Sequence, residues 1–486
     1  MKILSSFMIP LLILSNFALS QNSVENAVTS FVNGSGMEHA SISIMVYDLG
    51  NEKSVATHNE NITLPTASTA KMMSTATALD ILGPEYRAKT RLYLDGRIED
   101  GVLFGNLWIR GGGDPSLGSK YFNPEGHELD FMNPWIDSLK ALGITKVVGG
   151  VIGDASEFGY EGAPDGWSWV DMGNYYGAGA SGLTIFDNLV RYTFSSGSRA
   201  GSIVAVKSIL PEVPGLIYHN YVEASNTPGD NAYLYGAPFG LDRFGTGTIP
   251  VNQANFLVKG SLPDPELQCA FELTRKLQEN GITIDEIPTG VRGMELISSN
   301  ATYGKRTLIA THSGEKLKDI VEETNHRSVN LFAEHMINLI GYEKTGNGST
   351  SSGLRVLEQH WRGTFYTDGL HVNDGSGLSR SNAIAAKHFV ELLKTMEGRE
   401  NGAIFKASLP VAGKSGTMRN ICKNQTGHGR IYAKSGSMTR IKSYSGYVES
   451  TSGKKLAFAI IVNNFDGSSS TLTSRMASLM NVMAAY

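Results

Sequence analysis

The chain has 486 residues, 41 % of them hydrophobic and 18 % charged, which suits two or three packed domains and excludes a disordered or fibrous protein. A net charge of −4 leaves no basic footprint for nucleic acid. The two cysteines, Cys269 and Cys422, do not make a disulfide framework.

The chain opens with "MKILSSFMIPLLILSNFALSQ", a short positive start, an apolar run and small residues at Ala18-Leu19-Ser20. This reads as a secretory signal peptide, residues 1–20, cut after Ser20, with a retained anchor as the alternative. No cysteine stands at that cut, which argues against a lipid anchor there, and no later stretch is apolar enough to span a bilayer. "SISIMVY" (41–47) and "KSVATHN" (53–59) read as two strands around a turn at Gly50–Asn51. An amphipathic helix is predicted from Ser68 to Gly83, where Gly83 and Pro84 end it. From about Arg87 the texture becomes strands with glycine-rich turns, through "RLYLDGRIEDGVLFGNLWIRGGGDPSL", "KVVGGVIGDASEF" and "AYLYGAPFG". A helix follows around Cys269, with Leu267, Ala270, Phe271, Leu273 and Leu277 apolar and Cys269 read as a buried thiol. Helical character returns from about Thr307, with two helices meeting near Ser328 and two more in "SSGLRVLEQHWR" and "AIAAKHFVELLKTM". Three strands, "RIYAKSG", "SYSGYVES" and "KLAFAIIVNNF", precede a last helix at about Ser470–Met483. The simplest architecture is one domain split by a long strand-rich insertion.

Three short patterns carry chemistry. In "PTASTAKMM" Ser68 and Lys71 stand one helical turn apart on a common face, where the helix start favours a developing oxyanion. A poorly hydrated lysine there can serve as base; helix capping by Ser68 or Thr69 is the plain alternative. The same spacing at Ser313–Lys316 and Ser452–Lys455 lies in an exposed helix and a turn. In "NHRSVNLF" Ser328 and Asn330 offer a hydroxyl to relay a proton and an amide to hold a carbonyl, or else a cap. In "RIYAKSGSM" Lys434-Ser435-Gly436 ends a strand whose edge can bind an extended peptide, with Lys434 and Ser435 suited to a carboxylate and Gly436 to close approach. Lys414-Ser415-Gly416 repeats the triplet in a loop, and without an upstream glycine at the needed spacing it is no phosphate loop. Asp114 and Asp154 sit in tight glycine turns and read as turn-formers; His326 reads as a surface or capping residue.

Taken in order, Ser-x-x-Lys, Ser-x-Asn and Lys-Ser-Gly form the trio of β-lactamases and penicillin-binding proteins. With "NLWIRGGGDPSL", "VVGGVIGDASEF", "GAPDGWSWVDM", "LPVAGKSGTM" and "DGSGLSR", the mature chain resembles the class C low-molecular-mass penicillin-binding proteins, exported D-alanyl-D-alanine carboxypeptidase/endopeptidases. The resemblance implies an α+β fold of the penicillin-binding and serine β-lactamase type, an antiparallel sheet flanked by helices. It divides the chain into a catalytic domain at 21–86 and 303–486 and an inserted region at 87–302, with a nested second part at about 187–255. It implies Ser68 as nucleophile, Lys71 as its base and Ser328 as proton relay. Asn330, Lys434, Ser435 and Gly436 would bind substrate, and the amides of Ser68 and Ser437 would form the oxyanion hole. Val329 departs from the usual middle residue of the second motif. Asp171 would meet the free amino group of a diamino acid in the peptide, Tyr176 takes a position that is often aromatic, and Arg380 would approach a stem carboxylate. The implied partners are peptidoglycan stem peptides, with β-lactams as inhibitors, in the periplasm or outside the cell, without cofactor or metal. The competing expectations are a serine β-lactamase or esterase of this fold and a silent cell-wall-binding protein.

Overall fold

The computed structural model describes residues 23–297 and 305–486; the leader reading at 1–20 and the expected boundary at 302/303 lie outside them. Two compact units form. One comprises the described residues up to Pro84, Val321–Val329 and Leu357–Tyr486, the other Glu85–Ile320 and Asn330–Val356.

The first unit is built on a five-stranded antiparallel sheet in the order Ile431–Met438, Ile441–Glu449, Lys455–Asn463, Ser41–Asp48, Lys53–His58. The central strand "KLAFAIIVN" is buried from Leu456 to Asn463, because helices cover both faces. On one face the helix Ser469–Ala485 and the helical residues 23–32 contribute Met476, Leu479, Met480, Val24 and Val28 to a core with Ile44, Phe458 and Ile460. On the other the helix Ala386–Glu397 packs on Lys455–Asn463 and Ser41–Asp48, and Tyr447 Oη donates to Leu393 O at 2.8 Å. The strand Ile431–Met438 ends the sheet. Its first half is met by the loop before it, through Ala412 N to Ile431 O and Ala433 N to Pro410 O, both 2.9 Å. Among the described residues no strand pairs with the outer edge from Lys434 onward.

The second unit holds a five-stranded sheet in the order Thr289–Gly290, Val151–Asp154, Leu107–Arg110, Lys89–Leu94, Thr307–Ser313. The helix Pro265–Glu279 packs against Val151–Asp154, with Cys269 wholly buried in that core. Smaller sheets are made by Ala205–Leu210, Leu189–Ser195 and Phe256–Ser261, and by Ile217–Asn220, Asp242–Pro250 and Glu223–Ser225 with Asn231–Tyr235.

The mixed fold with flanking helices matches the expectation. Local readings differ in four places. Thr307–Ser313, expected to open the helical part, is a strand with its β-branched residues paired to Lys89–Leu94 on one side only. Residues 23–32 and Asn133–Ala141 are helices the pattern did not announce. The helix expected from Ser68 is a short 3₁₀ turn, Ala67–Ala70, feeding an α-helix, Lys71–Leu82. That helix is buried all round from Lys71 to Leu79 rather than amphipathic. Its polar side chains turn inward to partners: Thr75 Oγ1 donates to Lys71 O at 2.8 Å, and Trp361 Nε1 donates to Thr77 Oγ1 at 2.8 Å.

Candidate active site

Pro65 biases Leu64 to an extended conformation, and Leu64 bridges Ile384. The chain then turns sharply. Ala67, fully buried, takes a left-handed φ of 49°, a strained state for alanine. Ser68 follows, half-buried, on the 3₁₀ turn. The turn is pinned to the sheet: Ser443 Oγ donates to Thr66 O at 2.6 Å and lies 3.0 Å from Thr69 Oγ1. A Cβ at Gly436 would overlap the Thr66 carbonyl and Ser443 Oγ. Glycine there brings the edge strand against the Ser68 turn, so the close approach it permits is to protein backbone.

Ser68 caps nothing; no side chain caps either helical segment. Its Oγ accepts a 2.9 Å hydrogen bond from Lys71 Nζ, which also donates to Ser376 O at 2.7 Å. Lys71 has no exposed surface. The carbonyl of Ser376 is presented by the loop "DGSGLSR", which the buried Asp374 carboxylate holds by accepting from Gly377 N at 2.8 Å, Ser379 N at 2.6 Å and Asn382 Nδ2 at 2.7 Å. Ser74 Oγ adds a bond to Gly375 O at 2.6 Å.

Ser328 follows the helix Leu317–Arg327 with a left-handed φ of 60°. Its Oγ accepts from Lys434 Nζ at 2.9 Å, and Lys434 also donates to Ser435 O at 2.9 Å. Lys434 is fully buried. Burial, then the Lys71 charge nearby, pull its ammonium well below the usual lysine range. Ser435 Oγ donates to Thr417 Oγ1 at 2.8 Å, so the loop with the repeated Lys-Ser-Gly supplies the next residue to this edge. Gly416 lies against the His326 carbonyl, where a Cβ would crowd it, and His326 Nε2 is enclosed without a hydrogen-bond partner among the described residues. Ser437 is exposed on the same strand. Arg380 is exposed, 3.5 Å from Thr439 O just past the strand's end.

The first unit thus gathers Ser68, Lys71, Ser328, Lys434, Ser435, Gly436, Ser437 and Arg380. Asp171, Tyr176 and Asn330 belong to the second. There Asn330 Nδ2 donates to Tyr176 O at 2.7 Å. Burial and then the Asp171 carboxylate push the Tyr176 phenol well above its usual range. Asp374, Ser376, Ser443 and Thr417 shape the site without having been singled out. The first two lie in "DGSGLSR" and Thr417 follows the repeated Lys-Ser-Gly in "LPVAGKSGTM", whereas nothing within its own segment marks Ser443. Among the described residues no group of three or more His, Cys, Asp or Glu side chains could hold a metal ion, and no helix is long and apolar enough to cross a membrane.

A buried lysine bonded to a serine hydroxyl can deprotonate it, and an open strand edge beside a second lysine can receive an extended peptide with a carboxylate. Comparison with known proteins places the chain in a family. The model of the D-Ala-D-Ala carboxypeptidase 3 (S13) family matches residues 24–485. A D-alanyl-D-alanine carboxypeptidase from Actinomadura sp. (strain R39) is 27 % identical over 457 residues, covering 89 % of this chain and 79 % of its own. The D-alanyl-D-alanine carboxypeptidase DacB of Haemophilus influenzae is 22 % identical over 444 residues, covering 88 % and 86 %. The crystal structure of penicillin binding protein 4 (dacB) from Haemophilus influenzae has the same fold, with a TM-score of 0.78 at 20 % identity over 94 % of this chain and 99 % of that one.

Proposed function

The chain belongs to the D-Ala-D-Ala carboxypeptidase 3 (S13) family of serine-type peptidases, and from that premise we propose that it removes D-alanine from peptidoglycan stem peptides through an ester on Ser68. Ser68 Oγ attacks the carbonyl carbon of the penultimate D-alanine while Lys71 Nζ, in its neutral form, takes the hydroxyl proton. The amide N–H groups of Ser68 and Ser437 stabilise the oxyanion. The C–N bond breaks, a proton returned through Ser328 goes to the leaving amine, and water then releases the acyl group from Ser68. Lys434 and Ser435 hold the terminal carboxylate, with Arg380 near a second one, and Asn330 holds the stem's amide. Asp171 meets the ammonium of a diamino acid in the stem, with Tyr176 beside it. When the amine on the far side of the scissile bond belongs to a second stem instead of a terminal D-alanine, that amine leaves and the same chemistry is endopeptidase action. A β-lactam acylates Ser68 in the same way and leaves slowly.

The observation that carries this reading is the 2.9 Å bond from a wholly buried lysine to Ser68 Oγ. Export is part of the proposal, supported by the leader-like residues 1–20, as is the description of 87–302 as an insertion, supported by the run of short strands from Leu189 to Ser261. The test is D-alanine release from a synthetic pentapeptide stem together with fluorescent penicillin labelling. Both are expected from the native chain and neither from Ser68→Ala. Fast turnover of the drug without D-alanine release would mark a β-lactamase instead.

A further inference from the structure

The turn carrying Asp171 is held locally by Asp171 N and Met172 N donating to Ser168 O, at 2.9 and 3.3 Å, and by Asn174 N donating to Asp171 O at 3.0 Å, and the Asp171 carboxylate is hydrogen-bonded with the Tyr176 phenol. Trp169–Met172 is a single helical turn with no buried side chain and no side-chain cap, too short to persist alone. Its backbone is held from the strand-rich segment. Ser261 N donates to Gly173 O at 2.9 Å and Ser261 Oγ to Met172 O at 2.7 Å. Asn174 Nδ2 donates to Val170 O at 2.7 Å, while its Oδ1 accepts from Leu234 N at 3.1 Å.

Behind Ser261 stands Arg243, 2 % exposed. Its guanidinium donates to Ser261 Oγ at 2.9 Å, Ser261 O at 3.2 Å, Ala237 O at 3.0 Å and Gly240 O at 3.1 Å. Every one of these acceptors is neutral. Among the described residues no carboxylate forms an ion pair with Arg243. A cation taken from water without a counter-charge is expensive, and an apolar side chain would fill the space at lower cost. Gly236 makes room for it, since a Cβ there would overlap the Arg243 side chain. A hydroxyl that accepts from a cation becomes a better donor onward, because each bond polarises the next.

We propose that Arg243 and Ser261 are positioning residues: Arg243 fixes and polarises the Ser261 hydroxyl, which anchors the Met172 carbonyl and so holds the adjoining Asp171 carboxylate in place for a substrate ammonium. This rests on the reading of Asp171 as the contact for that ammonium. The strands Leu189–Ser261 then serve as a brace for substrate selection.

The test uses the full mature chain and two stem peptides that differ only in whether the side-chain amine of the third residue is free or acetylated. Ser261→Ala removes one hydroxyl and leaves the Ser261 N to Gly173 O bond. Amide exchange across Trp169–Asn174 is expected to quicken about fivefold or more, with the neighbouring strands unchanged and the melting transition retained. The preference for the free-amine peptide, as a ratio of kcat/KM, is expected to fall about fivefold, mainly through KM. Asp171→Asn is expected to abolish that preference, and adding Ser261→Ala to it should change the ratio less than about twofold. Arg243→Met gives the same direction with a larger effect if it folds. Unchanged exchange at Trp169–Asn174 in Ser261→Ala, or exchange that quickens equally throughout the strands, overturns the brace while the Asp171 reading stands. A full preference retained by Asp171→Asn overturns that reading, and the proposed purpose of the brace with it.

Discussion

Lys71 Nζ donates to Ser68 Oγ across 2.9 Å and to Ser376 O across 2.7 Å, so the side-chain nitrogen is held between the proposed nucleophile and a carbonyl of a distant loop. The carbonyl fixes the direction of the amine. Lys71→Met keeps the buried stem and removes the base. Acylation by a fluorescent penicillin is expected to slow by about 10²–10⁴-fold, the range for a lost general base. Lys71→Arg should fare no better, because a guanidinium does not give up its proton. Labelling rates read by gel, with intact mass to locate the adduct, decide this.

Lys434 reaches Ser328 Oγ at 2.9 Å from a fully buried position, and its ammonium is pulled well below the usual lysine range by burial and by Lys71. If Lys434 binds the substrate carboxylate as a cation, KM should rise with pH as that proton is lost, at a lower pH than an ordinary lysine would give. Ser328→Ala leaves Lys434 its bond to the Ser435 carbonyl, and is expected to slow acylation by about 10–100-fold. A pH profile of KM and single-turnover acylation rates measure the two effects.

Gly436 touches the turn that carries Ser68. A methyl group there meets the Thr66 carbonyl and Ser443 Oγ, neither of which can retreat without moving the turn or the sheet. Gly436→Ala is expected to destabilise the protein by about 1–3 kcal/mol and to depress penicillin labelling more than its stability loss explains. Thermal melting beside labelling at a temperature well below the transition separates the two.

Glu266 gives a pH signature unrelated to catalysis. Its Oε1 accepts from Ala155 N at 3.0 Å, Val291 N at 3.1 Å and Tyr160 Oη at 2.9 Å, while Oε2 is buried without a hydrogen-bond partner among the described residues. Burial pushes its carboxyl up from 4.5 to about 7, against those hydrogen bonds and with help from Asp264. The native state therefore holds a proton that the unfolded chain has lost. Stability from this group is full below pH 4.5 and is lost as pH rises toward 7, by about 3 kcal/mol. Glu266→Gln should flatten that part of the stability-against-pH curve. Unfolding midpoints measured from pH 4.5 to 8 in both proteins check it.

How much of this could be read from the residues follows from how far each partner lies along the chain. Ser68 and Lys71 are one turn apart, so their meeting was legible once a helical geometry was assumed. "KLAFAIIVN" reads as a strand from its own run of apolar and β-branched residues, and the structure buries that strand on both faces. Thr307–Ser313 was missed, because a strand paired on one side and half in water carries a mixed pattern. The Ser376 carbonyl is 305 positions from Lys71, and Ser443 is 374 from Thr69. The left-handed Ala67 has no residue-type signal at all, since glycine would be the expected choice there. By itself the sequence determined which hydroxyls, amines and amides exist, and which segments bury an apolar face. Only the tertiary structure decided which carbonyl aims Lys71, which backbone Gly436 must pass, and which strands brace Asp171. Hydrophobic and turn patterns record a segment's own burial and local bonds, whereas a hydrogen bond across hundreds of residues depends on chain topology that no short pattern encodes.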